Sequence, residues 1–277
     1  MLNVLNIGFE HAIQFSIDDH KLWIVANDGG FVKPQLVDVL YITNGARYTV
    51  LVKLDQEGDD YAMRLVSTST HQNLHGYSVL RYPVWLALFS LTAMFQPSRY
   101  EEHVTECFLN QRPWQLYHAQ MAPLLFIDNV SAVEPPIVGD LPWGTTVDVI
   151  VQNTVDDTMP LYKHGDPMFL LGSKPNATWE WGTVKEAIAA GVEGLNLKTP
   201  ALQLVHDVPP LGWAVVRWEI RVRGATMLHS NKFKYYAMGM SAPLLEGMDS
   251  NMQNEIPEHA KSMPHVEFTP KNDGVFG

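Results

Sequence analysis

At 277 residues, 46% hydrophobic and 18% charged, the chain is long enough for one or two globular domains with a sizeable core. Its formal net charge of −11, with no cluster of Lys and Arg, argues against nucleic acid as a partner, because phosphate binding needs concentrated positive charge. The single cysteine, Cys107, excludes an internal disulfide and gives no sign of an oxidising compartment.

Residues 1–20 have neither the basic start nor the unbroken apolar core of a secretory signal, so the expected location is the cytoplasm. The glycosylation triplets at Asn129 and Asn176 are discounted for the same reason. Residues 1–65 read as strands. Apolar runs such as Leu22 to Ala26 and Tyr48 to Val52 are separated by turn signals at Asn27-Asp28-Gly29-Gly30 and Asn44-Gly45. A further strand is expected over His75 to Tyr82. The longest apolar run, Val84 to Phe95, is too short to cross a bilayer, so no membrane span is expected; burial or an oligomer contact suits it better. A connector follows, with a helical piece broken at Pro97. Strands are expected over Leu125 to Ser131 and Leu141 to Asn153, and a helix over Thr183 to Ala190 that stops at Gly191. Pro209-Pro210-Leu211-Gly212 reads as a loop leading into a strand through Arg217. After Gly247 the polar, proline-containing composition reads as a surface tail.

Two stretches raise the question of chemistry. One is Met159-Pro160-Leu161-Tyr162-Lys163-His164-Gly165. The other contains His229-Ser230-Asn231, then Tyr235, then Gly239-Met240. They resemble the two copper-binding blocks of the multicopper oxidases, the laccases among them: His-Pro-x-His-x-His-Gly and His-Cys-His-Ile-x-x-His-x-x-x-Gly-Met. On that resemblance His164 and His229 survive. Ser230 stands where the family has its copper-ligating cysteine, Asn231 replaces the second histidine of the C-terminal block, and Tyr235 the third. A serine hydroxyl cannot supply the soft thiolate of a blue-copper site. Shorter matches (Val4-Leu5-Asn6, Phe15 to His20, Asp28-Gly29, Val37-Asp38, Gly45 to Tyr48) resemble the second half of the family's middle domain, which carries no copper.

The resemblance implies an all-β fold of cupredoxin-like Greek-key β-sandwich domains, one complete and C-terminal, one partial and N-terminal. The divisions are 1–92, a connector at 93–112, 113–247, and a tail at 248–277. A partial sandwich leaves an edge and an apolar face uncovered. Its strands are therefore expected to join the C-terminal sheets, or a second copy to cover the gap as a homodimer.

The two altered blocks are expected to face each other, placing Tyr162, His164 and Asp166 opposite His229, Ser230, Asn231 and Tyr235. Tyr162, His164, Asp166, His229, Asn231 and Tyr235 are the candidate catalytic residues, with no cofactor and no metal assigned. Imidazole titrates near pH ~6.5, which suits proton transfer at neutral pH. The many tryptophans, tyrosines and methionines favour an apolar small-molecule ligand.

Laccase-like proteins act on phenols, and fungi use relatives in making polyketide and terpenoid metabolites. The resemblance thus implies a cofactor-independent cyclase, isomerase or dehydratase acting on such an intermediate. A non-catalytic protein that steers an intermediate to an oxidase, and a pseudo-oxidase holding one metal ion on His164, Asp166 and His229, remain open alternatives. The other histidines are read as structural, with His20 holding its own loop. For Asp207 and Arg217, which flank the final strand pair, the first expectation is a structural ion pair.

Overall fold

A computed structural model of the chain describes residues 1–28, 30–56, 60–69, 72–81, 114, 137–248 and 259. The expected strand at Leu125 to Ser131, the run from Val84 to Phe95, the connector at 93–112 and Cys107 lie outside the described residues, as does the tail apart from Met248 and His259.

Eight strands make up the first part: β1 (Leu2–Leu5), β2 (Ile13–Ile17), β3 (Leu22–Asn27), β4 (Gly30–Val37), β5 (Leu40–Ile42), β6 (Arg47–Val52), β7 (Asp60–Ser67) and β8 (His75–Arg81). They form two four-stranded sheets, ordered β1-β6-β3-β4 and β5-β2-β7-β8. The alternation is plain in β2, where Phe15 and Ile17 are buried beside half-exposed Ser16. Phe15, Ile17, Leu22, Leu40, Ile42 and Val50 fill a core between the sheets. No strand of this part pairs with a described strand beyond residue 137, so the expectation that the N-terminal strands join the C-terminal sheets fails. The reason is local: these strands complete two facing layers among themselves. His20 does hold its turn, with Nδ1 2.7 Å from the Asp18 carbonyl oxygen.

The second part contains β9 (Val138–Leu141), β10 (Thr146–Gln152), β11 (Met159–Lys163), β12 (Met168–Lys174), α1 (Val184–Ala189), β13 (Ala201–Gln203), β14 (Val205–Val208), β15 (Trp213–Glu219), β16 (Gly224–Ser230), α2 (Phe233–Ala237) and β17 (Ser241–Glu246). Two sheets result, β10-β15-β12-β13 and β14-β11-β16-β17-β9. The apolar run of β15 reflects burial on both faces. Ala214, Val216 and Trp218 enter the main core with Leu161 and Met168, while Trp213 and Val215 enter a smaller core with Leu171 and Val184. The helix begins as expected: the Thr183 hydroxyl accepts from the Glu186 backbone N–H at 3.1 Å, and the Glu186 carboxylate accepts from the Gly182 N–H at 3.0 Å. It ends at Gly191, whose φ of +71° terminates the helix in the left-handed region.

The expected Asp207–Arg217 ion pair does not form. Arg217 lies directly opposite Asp148 in the β10–β15 register and binds it at 2.5 and 2.8 Å. Asp207 accepts instead from the Tyr41 hydroxyl at 2.9 Å and the Thr43 hydroxyl at 2.5 Å, across the seam between the two sandwiches. The same seam carries a hydrogen bond from Gln203 to the Tyr48 hydroxyl at 2.7 Å. Val205 is buried in the N-terminal core, and Tyr162 packs against that core. The sandwiches thus share a continuous surface, and the altered copper blocks lie beside it.

Candidate functional site

β11 and β16 are antiparallel neighbours, and their register pairs Tyr162 directly with His229. Directly opposed residues point to the same face of a sheet. Two residues on from Tyr162, just past the end of β11, the chain places His164 on that face as well, and its N–H continues the ladder to the Met227 carbonyl oxygen at 2.9 Å. The result is a cluster of rings. His164 Nε2 and His229 Nε2 are 3.1 Å apart. The Tyr162 ring centroid lies 5.0 Å from that of His164 and 5.3 Å from that of His229. Tyr236, from α2, brings a fourth ring to 4.8 Å from His229.

The hydrogen bonds determine the tautomers. His229 Nδ1 is 2.9 Å from the Ser230 carbonyl oxygen, which can only accept, so Nδ1 carries the proton. His229 Nε2 then offers a lone pair, and His164 Nε2–H is the donor to it. This leaves the lone pair of His164 Nδ1 as the free base of the pair. His229 is buried and His164 is exposed. Burial lowers the pKa of both imidazoles, joined by the nearby Lys163 ammonium for His164 and by His164 for His229, where the bond to Ser230 opposes the fall. Both are therefore neutral at pH 7.

Behind this face, Lys163 points into the sandwich. Its side chain and that of Glu246 are completely buried and paired at 3.0 Å. Glu246 also accepts from Trp218 Nε1 at 2.6 Å and from the Thr226 hydroxyl at 2.5 Å, and Lys163 donates to the His164 carbonyl oxygen at 3.0 Å. The backbone that carries His164 is thereby tied to the core.

Of the six expected catalytic residues, Tyr162, His164 and His229 meet. Asp166 does not join them; its carboxylate accepts from the backbone N–H groups of Arg221 and Val222 at 3.0 and 3.2 Å and holds their turn. Asn231 lies past the end of β16 and donates to the Asn44 carbonyl oxygen at 2.8 Å across the seam. Tyr235 turns to the opposite face, where its hydroxyl donates to Asp157 at 2.9 Å beside Lys232, itself 2.6 Å from Asp157. Ser230 is fully buried on the core side, because strand alternation sends it away from His229. Tyr236 escaped the sequence reading: it adjoins Tyr235 in a short helix, and only the helix orientation decides which of the two meets the histidines. Lys163 was missed too, although its place between two same-face residues of a strand is itself the signal for an inward lysine.

A multicopper oxidase family model matches residues 1–85 and a second matches residues 110–250. A laccase of Pestalotiopsis fici is 29% identical over 97% of this chain and 54% of that protein. Laccase ustL of Ustilaginoidea virens is 27% identical over 93% of this chain and 48% of that protein. Among solved structures, the laccase of Botrytis aclada superposes with a TM-score of 0.65 at 18% identity, covering 98% of this chain and 57% of that one. Fet3p, a multicopper oxidase that functions in iron import, does so with a TM-score of 0.59 at 16% identity, covering 94% of this chain and 60% of that one. The chain spans about half the length of the curated relatives it matches. With two multicopper oxidase models matched in chain order on two cupredoxin-like sandwiches, the chain belongs to the multicopper oxidase family.

Proposed function

We propose that this chain works without a blue-copper centre, as a non-redox acid–base enzyme on an apolar phenolic, polyketide or terpenoid intermediate, of the cyclase, isomerase or dehydratase type. The copper implied by the family does not fit the described donors. Ser230, at the thiolate position of the family signature, is completely buried and accepts a hydrogen bond from the Lys232 N–H at 3.3 Å. Met159, Tyr235 and Met240, around the same position, pack into the hydrophobic core. No group of three or more His, Cys, Asp or Glu side chains comes together among the described residues.

The observation that carries the reading is the directed histidine pair. His164 Nδ1 takes a proton from an acidic C–H or O–H of the substrate, and the electron pair left behind enters the enolate or phenolate. The new imidazolium is stabilised through its Nε2–H bond to His229, which in turn donates to the Ser230 carbonyl. Returning the proton to another carbon isomerises the substrate; returning it to a departing hydroxyl dehydrates it. The rings of Tyr162 and Tyr236 flank the pair and orient a flat substrate, a contribution of several kcal/mol in its own right.

Replacing His164 or His229 by Ala is expected to cut turnover of such an intermediate by roughly 10²–10⁴-fold while only weakening binding. Normal turnover by both variants refutes the assignment. Loss of binding without any turnover by the parent chain favours the steering role instead.

One observation favours a second reading. Two Nε2 atoms 3.1 Å apart can share one ion at about 2.0–2.1 Å each, and the Nδ1–H bond of His229 to a carbonyl is how ligating histidines are commonly held. Asp166 cannot be the third ligand where it stands. Elemental analysis of purified protein, with and without His164→Ala, separates this reading from the first.

A further inference from the structure

Helix α2, which brings Tyr236 to His229, is too short to stand by itself. Its five residues fall well below the length at which a helix is stable in water, and the Lys232 side chain at its N-cap makes no capping hydrogen bond. One orphan donor of its first turn, the Phe233 N–H, is satisfied from the other sandwich: it donates to the Phe9 carbonyl oxygen at 2.8 Å, in the loop between β1 and β2. Beside that bond the Phe9 and Phe233 rings meet edge-on at 6.0 Å, and Glu10 binds Lys234 at 2.7 Å.

The loop is braced to present these groups. Buried Asn6 accepts from the Gly8 N–H at 2.9 Å and donates to the carbonyl oxygens of His11 and Ile42, both at 3.0 Å. Buried Asn44 donates to the Gly8 carbonyl oxygen at 3.0 Å. Phe9 itself is 73% exposed, so it adds little to the core of its own sandwich. What it adds is a grip on α2.

The helix is thus held on two sides. Tyr235 is buried in the main core and bonded to Asp157 of its own sandwich. At roughly 100° per residue, Phe233 points nearly opposite to Tyr235, whereas Phe233 and Tyr236, three apart, are neighbours on one side. A helix anchored at Tyr235 alone can still roll about that anchor. The contacts at Phe233 and Lys234 stop the roll on the side that carries Tyr236.

We propose that Phe9 and Glu10 are positioning residues of the candidate site: from the N-terminal sandwich they grip the first turn of α2 and so hold the Tyr236 ring against His229. The catalytic value of that ring rests on the acid–base reading above; its placement does not.

The test reads the ring current of Tyr236 on the His229 Cε1 proton, by carbon–proton correlation NMR of the full chain with labelled histidine. Tyr236→Leu gives the direction in which that resonance moves when the ring is lost. The double variant Phe9→Ala with Glu10→Gln is expected to move it in the same direction and most of the way. Phe9→Tyr, which keeps an aromatic ring, should leave it in place. His206, buried in the same sandwich and bonded to the Met168 carbonyl, is the control, and its resonance should not move. An unchanged His229 resonance in the double variant overturns the proposal, as does an equal displacement of His206, which marks a general loosening. Because the readout does not depend on turnover, failure of the acid–base reading and failure of this one are told apart.

Discussion

The chemistry turns on individual side chains whose neighbours decide their roles. Lys163 and Glu246 form a completely buried ion pair, with Trp218 and Thr226 completing the carboxylate's hydrogen bonds. Such pairs contribute little net stability, but removing one partner strands the other charge. Lys163→Met is therefore expected to destabilise the fold by about 3–5 kcal/mol, and Lys163→Met with Glu246→Leu to recover most of that loss, as read from urea unfolding. A double variant as unstable as the single one would show that the pair does more than neutralise itself. The histidines set a pH dependence. Burial lowers the folded-state pKa of His164, His206 and His229, so the unfolded chain binds more protons between those lowered values and the ordinary 6.5. Their contribution to stability is present above 6.5 and declines as pH falls through that window. His206→Gln should flatten the decline, because His206 is buried with Nε2 2.7 Å from the Met168 carbonyl oxygen, a bond a neutral amide can replace.

At the scale of elements, two contacts fix how the strands that carry the site meet the N-terminal sandwich. The first is the close approach of Asn231 to Gly45. Gly45 has φ +83°, and a Cβ there would lie 1.9 Å from Asn231 Nδ2. Gly45→Ala should cost about 1–2 kcal/mol for the left-handed backbone alone, with a further steric penalty. Adding Asn231→Ala should remove the steric part and leave the backbone part, a partition that a double-mutant cycle by urea unfolding checks. The second contact is Asp207 under Tyr41 and Thr43. Desolvation raises its pKa above 3.8, against the lowering effect of the two hydroxyls. A raised carboxyl pKa means stability present below 3.8 and lost as pH rises through the folded value. Asp207→Asn should abolish that loss, measurable as unfolding free energy across mildly acidic pH.

At the scale of the molecule, the outer face of the β1-β6-β3-β4 sheet carries an exposed apolar row beside the polar Asn3–Thr49 pair. Leu36, Trp23 and Leu51 sit side by side across β4, β3 and β6, each more than 40% exposed, with Leu5 of β1 and Met1, which precedes β1, also exposed. An uncovered apolar row of this kind suits a partner surface. We expect a second copy of the chain to cover it, giving a homodimer, and Trp23→Lys to shift the sedimenting species to monomer. A chain that is monomeric at high concentration before any substitution rejects this arrangement.

Much of the fold was readable from the sequence because its signals are local. Period-two alternation in β2 and β10, the Thr183 cap with Gly191 as stop, and the spacing of the two altered copper blocks each depend on a few consecutive residues. From those blocks alone, Tyr162, His164 and His229 could be expected to meet. Which residues failed to join them was a matter of register and side-chain direction, which only the tertiary structure decides. Strand alternation sent Ser230 into the core, the end of β16 released Asn231 to the seam, and the set of α2 exchanged Tyr235 for Tyr236. The tautomers of the histidine pair and the pairing of Arg217 with Asp148 follow from the same cause: contacts between strands distant in sequence are chosen by the packing of whole sheets, and no short stretch of residues encodes them.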